Sequence, residues 1–366
     1  MSSQVGSSPG TGVASVLLAE PRGFCAGVEM AIKALAWMVR AFEPPVYCYH
    51  EIVHNRLVVD RFRQLGVVFV DDVDEVPDGA PLMLSAHGSA PETVRNARER
   101  GRFVVNAVCP LVTKVHHEAK VRASKGYTIL YVGHEGHDEA IGTLAVAPDS
   151  IRLVEREGDL EQVLPTIDDP TQVALLAQTT LAQHDWEGIM ERAREQFPDL
   201  WTAARNDLCF ATTNRQAALR EIATRADAVV VIGSSNSSNT IALAKVATDA
   251  GCALVLRVDG PEELDVAALG TASIVGVTAG ASAPEDLVQA VIDKLDPRDG
   301  VEPVFVTEEA EYFPPPRELR ELVPTLDAVV ALLLGGDPSG GTHGGPFHDD
   351  RGTDASAVLA ALSGHA

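Results

Sequence analysis

The sequence contains no apolar run that approaches the roughly 20 residues of a membrane span, so it predicts no transmembrane helix. Basic residues are also scarce, because 29 Lys and Arg stand against 52 Asp and Glu, for a formal net charge of −23. This imbalance argues against non-specific binding to nucleic acid and against adhesion to an anionic membrane. Residues 1–14 are rich in Ser and Gly and lack the basic start and apolar centre of a secretory signal. We therefore predict a disordered leader over 1–14 and a cytoplasmic protein.

Cysteine is scarce as well. The five cysteines in 366 residues are too few, and odd in number, for a disulfide framework. No two of them form the local C-x-x-C pair that is typical of zinc sites. The thiols are therefore expected to be free, metal-bound or catalytic. The sequence also lacks a Gly-Lys-Ser/Thr phosphate loop and a G-x-G-x-x-G fingerprint, so a nucleotide is not the favoured ligand.

What the sequence does contain is a regular alternation of short apolar runs with stretches of helical periodicity. Runs such as 46–49, 128–132 and 228–232 read as buried strands, and the stretches between them read as amphipathic helices. The alternation predicts an α/β fold with mostly parallel sheets built from βαβ units. We predict α/β domains over 15–109, 110–205 and 206–297, a C-terminal segment that packs back on the core over 298–325, and a flexible tail over 326–366.

Three cysteines occupy similar places in this pattern. Cys25, Cys109 and Cys209 each follow a predicted strand and precede a predicted helix, the place where ligands gather in open α/β sheets. Their thiolates could hold zinc, an iron–sulfur cluster or nothing, since cysteine is also a common core residue. A cluster held by only three cysteines would leave one iron open to a substrate oxygen. Cys48 and Cys252 fit a core role better.

Polar side chains follow several other predicted strands. His54, His87 and His137 each lie just beyond an apolar run, and Glu139 comes two residues after His137. A lone histidine there is usually structural, but three of them could donate hydrogen bonds to an anion. The glutamate could act as a general acid if an apolar site raised its pKa.

The run 234–239, Ser-Ser-Asn-Ser-Ser-Asn, lies between a predicted strand and a predicted helix. Serine and asparagine are favoured N-caps, so the run is explained by helix initiation alone. The N–H groups of a helix start, together with several hydroxyls, also form a suitable phosphate site. Ser282 lies at another strand-to-helix turn and could add a hydroxyl, and Thr179 follows a further strand.

Taken together, these stretches resemble the 4-hydroxy-3-methylbut-2-enyl diphosphate reductase (IspH/LytB) family. The resemblance covers about residues 15–320 and occurs in family order. The matching motifs are PRGFCAG (21–27), HEIVHN (50–55), SAHG (85–88), CPLVTKVH (109–116), GHEGH (133–137), QTT (178–180), CFATTNRQ (209–216), NSSN (236–239) and VTAGASAP (277–284).

The resemblance implies three pseudo-symmetric α/β domains around a central 4Fe–4S cluster, with Cys25, Cys109 and Cys209 as its only protein ligands and one iron open to the substrate hydroxyl. It implies reductive removal of that hydroxyl by two electrons and two protons, which gives isopentenyl and dimethylallyl diphosphates, with ferredoxin or flavodoxin as the electron donor. Glu139 matches the proton donor and Thr179 the residue that positions the hydroxyl and relays the proton, so the implied catalytic set is Glu139, Thr179 and His137. The implied substrate-binding residues are His54, His87, His137, Thr179, Ser237, Ser238, Asn239 and Ser282.

Other functions remain open at this point. A quinolinate-synthase-like dehydratase also uses three cysteines and a cluster, but its substrate bears carboxylates, whereas the Ser/Asn-rich helix start and the histidines favour a diphosphate. A cluster-based redox sensor without turnover would not need Glu139 or Thr179. A zinc-binding structural protein would contain neither iron nor sulfide.

Overall fold

Parallel strands and helices alternate along the chain. The computed structural model describes residues 12–100, 102–203, 207–333 and 350–363. The strands are β1 (Ser15–Glu20), β2 (Val46–Tyr49), β3 (Val67–Val70), β4 (Leu82–Leu84), β5 (Val104–Asn106), β6 (Thr128–Val132), β7 (Ile151–Val154), β8 (Val173–Ala177), β9 (Trp201–Thr202), β10 (Ala228–Ile232), β11 (Val255–Val258), β12 (Ile274–Ala279) and β13 (Val301–Phe305).

The helices account for the stretches of helical periodicity between the strands. They are α1 (Ala26–Ala41), α2 (Arg56–Gln64), α3 (Pro91–Glu99), α4 (Pro110–Ser124), α5 (Asp138–Leu144), α6 (Asp159–Val163), α7 (Gln183–Gln196), α8 (Phe210–Ala223), α9 (Ser238–Asp249), α10 (Glu285–Leu295), α11 (Arg317–Leu333) and α12 (Ala355–Ser363). Among the described residues, no helix is both long and apolar enough to cross a bilayer.

The chain divides into two compact units, and the first contains 12–24 and 209–310 of the described residues. Its sheet has the order β11-β10-β12-β1-β13, with all strands parallel. Strand β10 is buried along its whole length, as expected for a parallel sheet covered on both faces. The predicted boundary at 15 is therefore wrong for β1, which pairs with β12 and β13 rather than with strands of 15–109. A parallel strand can take its neighbour from far along the chain, and composition carries no signal of that choice.

The second unit, 25–208 with 311–366, contains two further parallel sheets. Their orders are β3-β2-β4-β5 and β7-β6-β8-β9. Each sheet is lined by its own apolar cluster, around Leu82 and Leu84 in one and around Leu130 and Leu175 in the other. The described residues thus form three parallel sheets, in keeping with the predicted α/β class.

Both predicted flexible ends need correction within the described residues. In the predicted leader, Val13 is buried and the Ala14 N–H donates to the Ser273 carbonyl oxygen at 2.8 Å. In the predicted tail, α11 continues to Leu333 and α12 forms a helix that packs on α1 and α2. Residues 1–11, 334–349 and 364–366 of these predictions lie outside the described residues. The composition of the region as a whole concealed the short apolar sequence of α12.

The docking of α12 predicts a stability effect. Leu359 on α12 is fully buried, so Leu359→Ala is expected to lower the free energy of unfolding by about 2–5 kcal/mol, the usual cost of truncating a buried leucine. Leu326→Ala is the matched control, because Leu326 is 43% exposed on α11, and a change of less than about 0.5 kcal/mol is expected there. Urea unfolding measures both. Equal effects would show that α12 does not contribute to the core.

Candidate functional site

The carboxyl ends of neighbouring strands in the second unit carry the predicted histidines. His54 follows β2 and His87 follows the adjacent β4, and the two rings stack with centroids 3.9 Å apart and planes at 12°. His137 follows β6 in the other sheet of the same unit, and its ring lies edge-on to both, at 5.2 Å from His54 and 6.2 Å from His87. The structure therefore brings these three predicted residues together.

Burial keeps two of these histidines neutral at pH 7. It lowers the pKa of His87 well below the usual value, and the neighbouring His54 adds to the effect. Burial, again aided by His54, lowers the pKa of His137 to about 4. His87 Nε2 is buried and has no hydrogen-bond partner among the described residues. A buried ring nitrogen of this kind needs a partner, and an anion that accepts a hydrogen bond would supply one.

Two residues contact this histidine cluster or its partners and were not assigned a role from the sequence. His50, at positive φ (58°) at the end of β2, places its Nδ1 2.8 Å from Oδ1 of Asp138. Asp138 Oδ2 lies 4.0 Å from Nε2 of His54. Burial alone would raise the pKa of Asp138, but the His50 hydrogen bond and the nearby histidine charges lower it to about 2. The sequence did offer a signal for both residues, because His50 begins the 50–55 motif and Asp138 directly follows His137.

The arrangement suits an anion better than a metal ion. One ligand atom from each of His54, His87 and Asp138 lies within 4.8 Å of the others, which is close enough to consider coordination. The two imidazole rings are stacked, however, so their nitrogen lone pairs lie in nearly parallel planes and cannot both point at one ion. Stacked rings can instead present two N–H groups to different oxygens of one anion.

Glu139 and Thr179 form a buried pair next to the histidines. Glu139 is at the start of α5, and Thr179 lies two residues beyond β8, the strand that pairs with β6. The Thr179 N–H donates to Oε1 of Glu139 at 2.8 Å, and the Thr179 hydroxyl donates to Oε2 at 2.9 Å. Burial raises the pKa of Glu139 to about 7, even though both hydrogen bonds from Thr179 lower it. A carboxyl group with this pKa can give up a proton near neutral pH.

Two further polar residues support this pair and were not predicted. Asp207 is buried, accepts from the Ala177 N–H and from Nζ of Lys114, both at 3.2 Å, and its charge adds to the rise in the pKa of Glu139. The side chain of Gln178 accepts from the His134 N–H at 2.9 Å and ties the loop after β6 to the end of β8. Their position within or next to the 178–180 and 209–216 motifs was the available signal.

The three predicted cysteine ligands share one local structure. Cys25, Cys109 and Cys209 are the N-cap residues of α1, α4 and α8, with extended ψ values of 165°, 133° and 135°. None of the three side chains caps its helix by a hydrogen bond. None of the three forms a disulfide bond. Cys48 and Cys252 are buried, as predicted for core residues.

In the second unit, two of these sulfurs converge over Gly27. A Cβ atom on Gly27 would lie 2.8 Å from Cys109 Sγ and 3.9 Å from Cys25 Sγ. Burial, with the neighbouring Cys25, raises the pKa of Cys109 to about 12, so a thiolate there needs a bound cation for its charge. The close approach of the Cys109 sulfur to a glycine and the pair of neighbouring soft ligands fit an iron–sulfur cluster. Cys209 belongs to the other unit and presents the same N-cap geometry.

The close contact between Gly27 and the Cys109 sulfur predicts that a larger side chain at position 27 destabilises the protein. Gly27→Ala would place a methyl group against Cys109 Sγ, so we expect a loss of about 1–3 kcal/mol in the free energy of unfolding and a lower cluster content. Gly188→Ala is the control, because only the flexible end of Glu157 is close to that helical glycine and alanine favours a helix by about 1 kcal/mol. Thermal unfolding and iron analysis measure both variants. A stabilised, fully loaded Gly27→Ala protein would contradict the tight fit.

The first unit carries the other predicted polar set. Ser237 is the N-cap of α9 and accepts from the Thr240 N–H, and Ser238 and Asn239 begin the helix. Ser282 lies beyond β12, the neighbour of β10 that leads to α9. All four are buried, and both polar atoms of the Asn239 side chain have no hydrogen-bond partner among the described residues. Such an amide is prepared to bind a polar ligand.

Comparison with known proteins identifies the family of this chain. The model of the LytB protein family matches residues 16–296. The 4-hydroxy-3-methylbut-2-enyl diphosphate reductase of Rhodopirellula baltica is 48% identical over 307 residues, which cover 83% of this chain and 95% of that protein. The enzyme of the same name from Mycolicibacterium paratuberculosis is 45% identical over 307 residues, which cover 83% and 92%.

Solved structures agree as well. The E-1-hydroxy-2-methyl-but-2-enyl-4-diphosphate reductase of Plasmodium falciparum superposes with a TM-score of 0.82 at 31% identity, covering 86% of this chain and 99% of that one. Another, an (E)-4-hydroxy-3-methyl-but-2-enyl diphosphate reductase described as the terminal enzyme of the non-mevalonate pathway, has a TM-score of 0.56 at 28% identity and covers 77% and 99%. The chain therefore belongs to the LytB protein family.

Proposed function

We propose that this protein is a reductase that converts 4-hydroxy-3-methylbut-2-enyl diphosphate to isopentenyl and dimethylallyl diphosphates by two-electron reductive dehydroxylation, the last step of the non-mevalonate isoprenoid pathway. The relatives that match along most of this chain bear the name of that activity. The single observation that carries the proposal is the Glu139–Thr179 pair, because it places a buried acid with a pKa of about 7 beside the histidine cluster.

The acid and the hydroxyl have separate tasks in this proposal. Protonated Glu139 donates its proton to the oxygen that leaves the substrate. The Thr179 hydroxyl, 2.9 Å from Oε2 of Glu139, lies on the path of that proton and orients the substrate hydroxyl. Burial raises the pKa of this carboxyl group to about 7, so at neutral pH a large fraction of Glu139 holds the proton that it would donate.

A 4Fe–4S cluster is the cofactor of this proposal, held by Cys25, Cys109 and Cys209. When bound, it would pass on the two electrons that the donor supplies, one at a time, and would offer a Lewis-acidic iron, chemistry that amino-acid side chains cannot supply. Cys109 is close enough to Glu139 for the charge of the carboxylate to raise the pKa of the thiol. The proton donor is therefore near one of the proposed ligands.

The diphosphate is bound, in this proposal, by neutral donors rather than by an arginine clamp. His54, His87 and His137 present ring nitrogens from one cluster, and a diphosphate that accepts from them satisfies the buried Nε2 of His87. The family motifs imply that a second set of polar residues binds the same diphosphate, and we include them in the proposal: Ser237, Ser238, Asn239 and Ser282. Their burial and the unpartnered Asn239 amide support it.

A ferredoxin or flavodoxin is the proposed electron donor, and the cytoplasm is the proposed location. Both kinds of donor are acidic, and this chain has a net charge of −23, so association is expected to depend on a local basic surface and to change with ionic strength.

The diphosphate can be tested separately from the redox chemistry. Reconstituted protein is assayed under anaerobic conditions, with a chemical reductant, on the allylic diphosphate and on the same alcohol without its diphosphate. The proposal expects turnover of the first, and competition against it by inorganic diphosphate. It expects His87→Leu to raise KM more than it lowers kcat, because the change removes a binding group and not the acid. Equal turnover of the free alcohol would contradict the role of the histidines.

A further inference from the structure

Arg215 is a buried arginine that no part of the proposed chemistry uses. It lies on α8, the helix that begins after Cys209, and its side chain is 1% exposed. A charged side chain is almost never buried to this extent unless it is fully paired. Its partners therefore indicate what it is for.

The guanidinium group donates hydrogen bonds to the turn that leads into Cys25. Nε and Nη2 of Arg215 donate to the Gly23 carbonyl oxygen at 3.1 and 2.9 Å, and Nη2 also donates to the Phe24 carbonyl oxygen at 3.3 Å. Cys25 is the next residue in the chain. The turn is constrained on its other side, because Gly23 has a φ of 65° and a Cβ atom there would lie 3.2 Å from the Ala283 carbonyl oxygen.

The rest of the guanidinium group is tied to α8 and to the chain beyond β13. Nη1 donates to the Ala211 carbonyl oxygen at 2.9 Å, two residues after Cys209, and to Oε1 and Oε2 of Glu309 at 2.9 and 3.0 Å. Asn214 donates to the same carboxylate at 3.0 Å. One planar group thus joins the backbone before Cys25 to the first turn of the helix that Cys209 caps.

We propose that Arg215 is a positioning residue for the iron–sulfur cluster, which fixes the backbone that presents Cys25 in register with the start of the helix capped by Cys209. The inference rests on the proposed function, since it takes these cysteines as ligands. A planar guanidinium can hold several carbonyl oxygens and a carboxylate at once, whereas a lysine ammonium cannot reproduce that geometry. Groups that orient metal ligands in this way typically contribute 10- to 100-fold to metal affinity.

The test compares cluster durability in matched variants of the full chain after anaerobic reconstitution. Iron release to a ferrous chelator is expected to be roughly 10- to 100-fold faster in Arg215→Met than in the wild type, and Arg215→Lys is expected not to restore the wild-type rate. Arg225→Met is the control, because Arg225 lies just after the same helix and pairs with Glu302 at 2.6 Å on the surface. Its rate should stay within about twofold of the wild type, since exposed ion pairs contribute little.

Two further measurements separate positioning from general stability. The electron paramagnetic resonance spectrum of the reduced cluster should change in Arg215→Met and Arg215→Lys but not in Arg225→Met, whatever the unfolding temperatures of the apoproteins. Arg215→Met/Glu309→Gln also removes the charge of the half-buried Glu309 carboxylate, which in the single variant loses its arginine partner and keeps only the hydrogen bond from Asn214. We expect iron release from the double variant to be as fast as from Arg215→Met. Release at the wild-type rate would show that the charge of Glu309, left without its arginine, caused the effect in the single variant, and it would overturn the proposal.

The outcomes also separate this inference from the proposed function. A wild-type protein that holds no iron–sulfur cluster would remove both. A wild type with a durable cluster, together with an Arg215→Met protein that has the same release rate and spectrum, would remove only the role of Arg215. Should Arg215→Met fail to fold, Arg215→Lys carries the same test, because it keeps the positive charge opposite Glu309.

Discussion

Replacing Glu139 with Gln is expected to lower turnover at least ~100-fold, the usual scale for a lost general acid, while substrate binding stays largely intact. The substitution keeps the shape of the side chain. Its amide oxygen can still accept from the Thr179 N–H, and its NH2 group can donate to the Thr179 hydroxyl, which then no longer donates. The substitution removes the proton that the departing oxygen needs. Steady-state kinetics give turnover, and isothermal calorimetry with the allylic diphosphate gives binding. Near-wild-type turnover in this variant would remove Glu139 from the role of acid.

The pH dependence of kcat/KM is a second test of Glu139 as the general acid. Burial raises the pKa of Glu139 to about 7, so the carboxyl group is protonated below that pH and loses its proton above it. Because the acid must be protonated to act, kcat/KM is expected to fall as the pH rises through about 7, approaching tenfold per unit. The falling limb should be absent from the residual activity of Glu139→Gln. A profile without such a limb in the wild type would contradict the assignment.

Replacing any one of Cys25, Cys109 and Cys209 with Ser is expected to reduce cluster content and turnover to background. In the proposed site the cluster has only three protein ligands, so we expect it not to stay bound when one of them is lost. Iron and sulfide analysis after anaerobic reconstitution measures cluster content, and the reductase assay measures turnover. The expected loss is the same for all three substitutions, because the three residues have the same N-cap geometry.

The chain supplies its own controls for that series. Cys48 is fully buried in β2, where burial raises the pKa of its thiol, and Cys252 donates to the Leu254 carbonyl oxygen at 3.4 Å. Cys48→Ala and Cys252→Ala are expected to keep the wild-type iron and sulfide content, with about 1 kcal/mol lost in stability for the buried position. A full cluster in a Cys109→Ser protein, or an empty one in Cys252→Ala, would contradict the ligand assignment.

Local elements could be predicted well from the sequence. The strands at 46–49, 128–132 and 228–232 have the predicted bounds, because a short apolar run rich in β-branched and aromatic residues has few structural alternatives. The partner of β1 could not be predicted, since it pairs with β12 and β13 from more than 200 residues away. Helix α12 was concealed by the Gly-rich composition of the region around it.

The site shows the same division between local pattern and distant contact. Spacing placed His54, His87 and His137 at strand ends, and the structure brings them together. Their partners His50 and Asp138 were not predicted, because the positive φ of His50 and the 2.8 Å contact depend on packing within the unit. The Glu139–Thr179 hydrogen bonds join residues 40 positions apart, and only the family resemblance had connected those two. Asp207 and Arg215 act through backbone groups of distant residues, which no local pattern encodes.

The most direct test of the central claim is a single-turnover experiment under anaerobic conditions. Reconstituted wild-type protein, in excess over 4-hydroxy-3-methylbut-2-enyl diphosphate, is mixed with this substrate and a measured amount of chemical reductant, which replaces each electron that the cluster passes on. The products are analysed by mass spectrometry. We expect isopentenyl and dimethylallyl diphosphates, with two electrons withdrawn from the reductant for each molecule formed. A protein that carries its cluster, binds the diphosphate and returns the substrate unchanged would contradict the account.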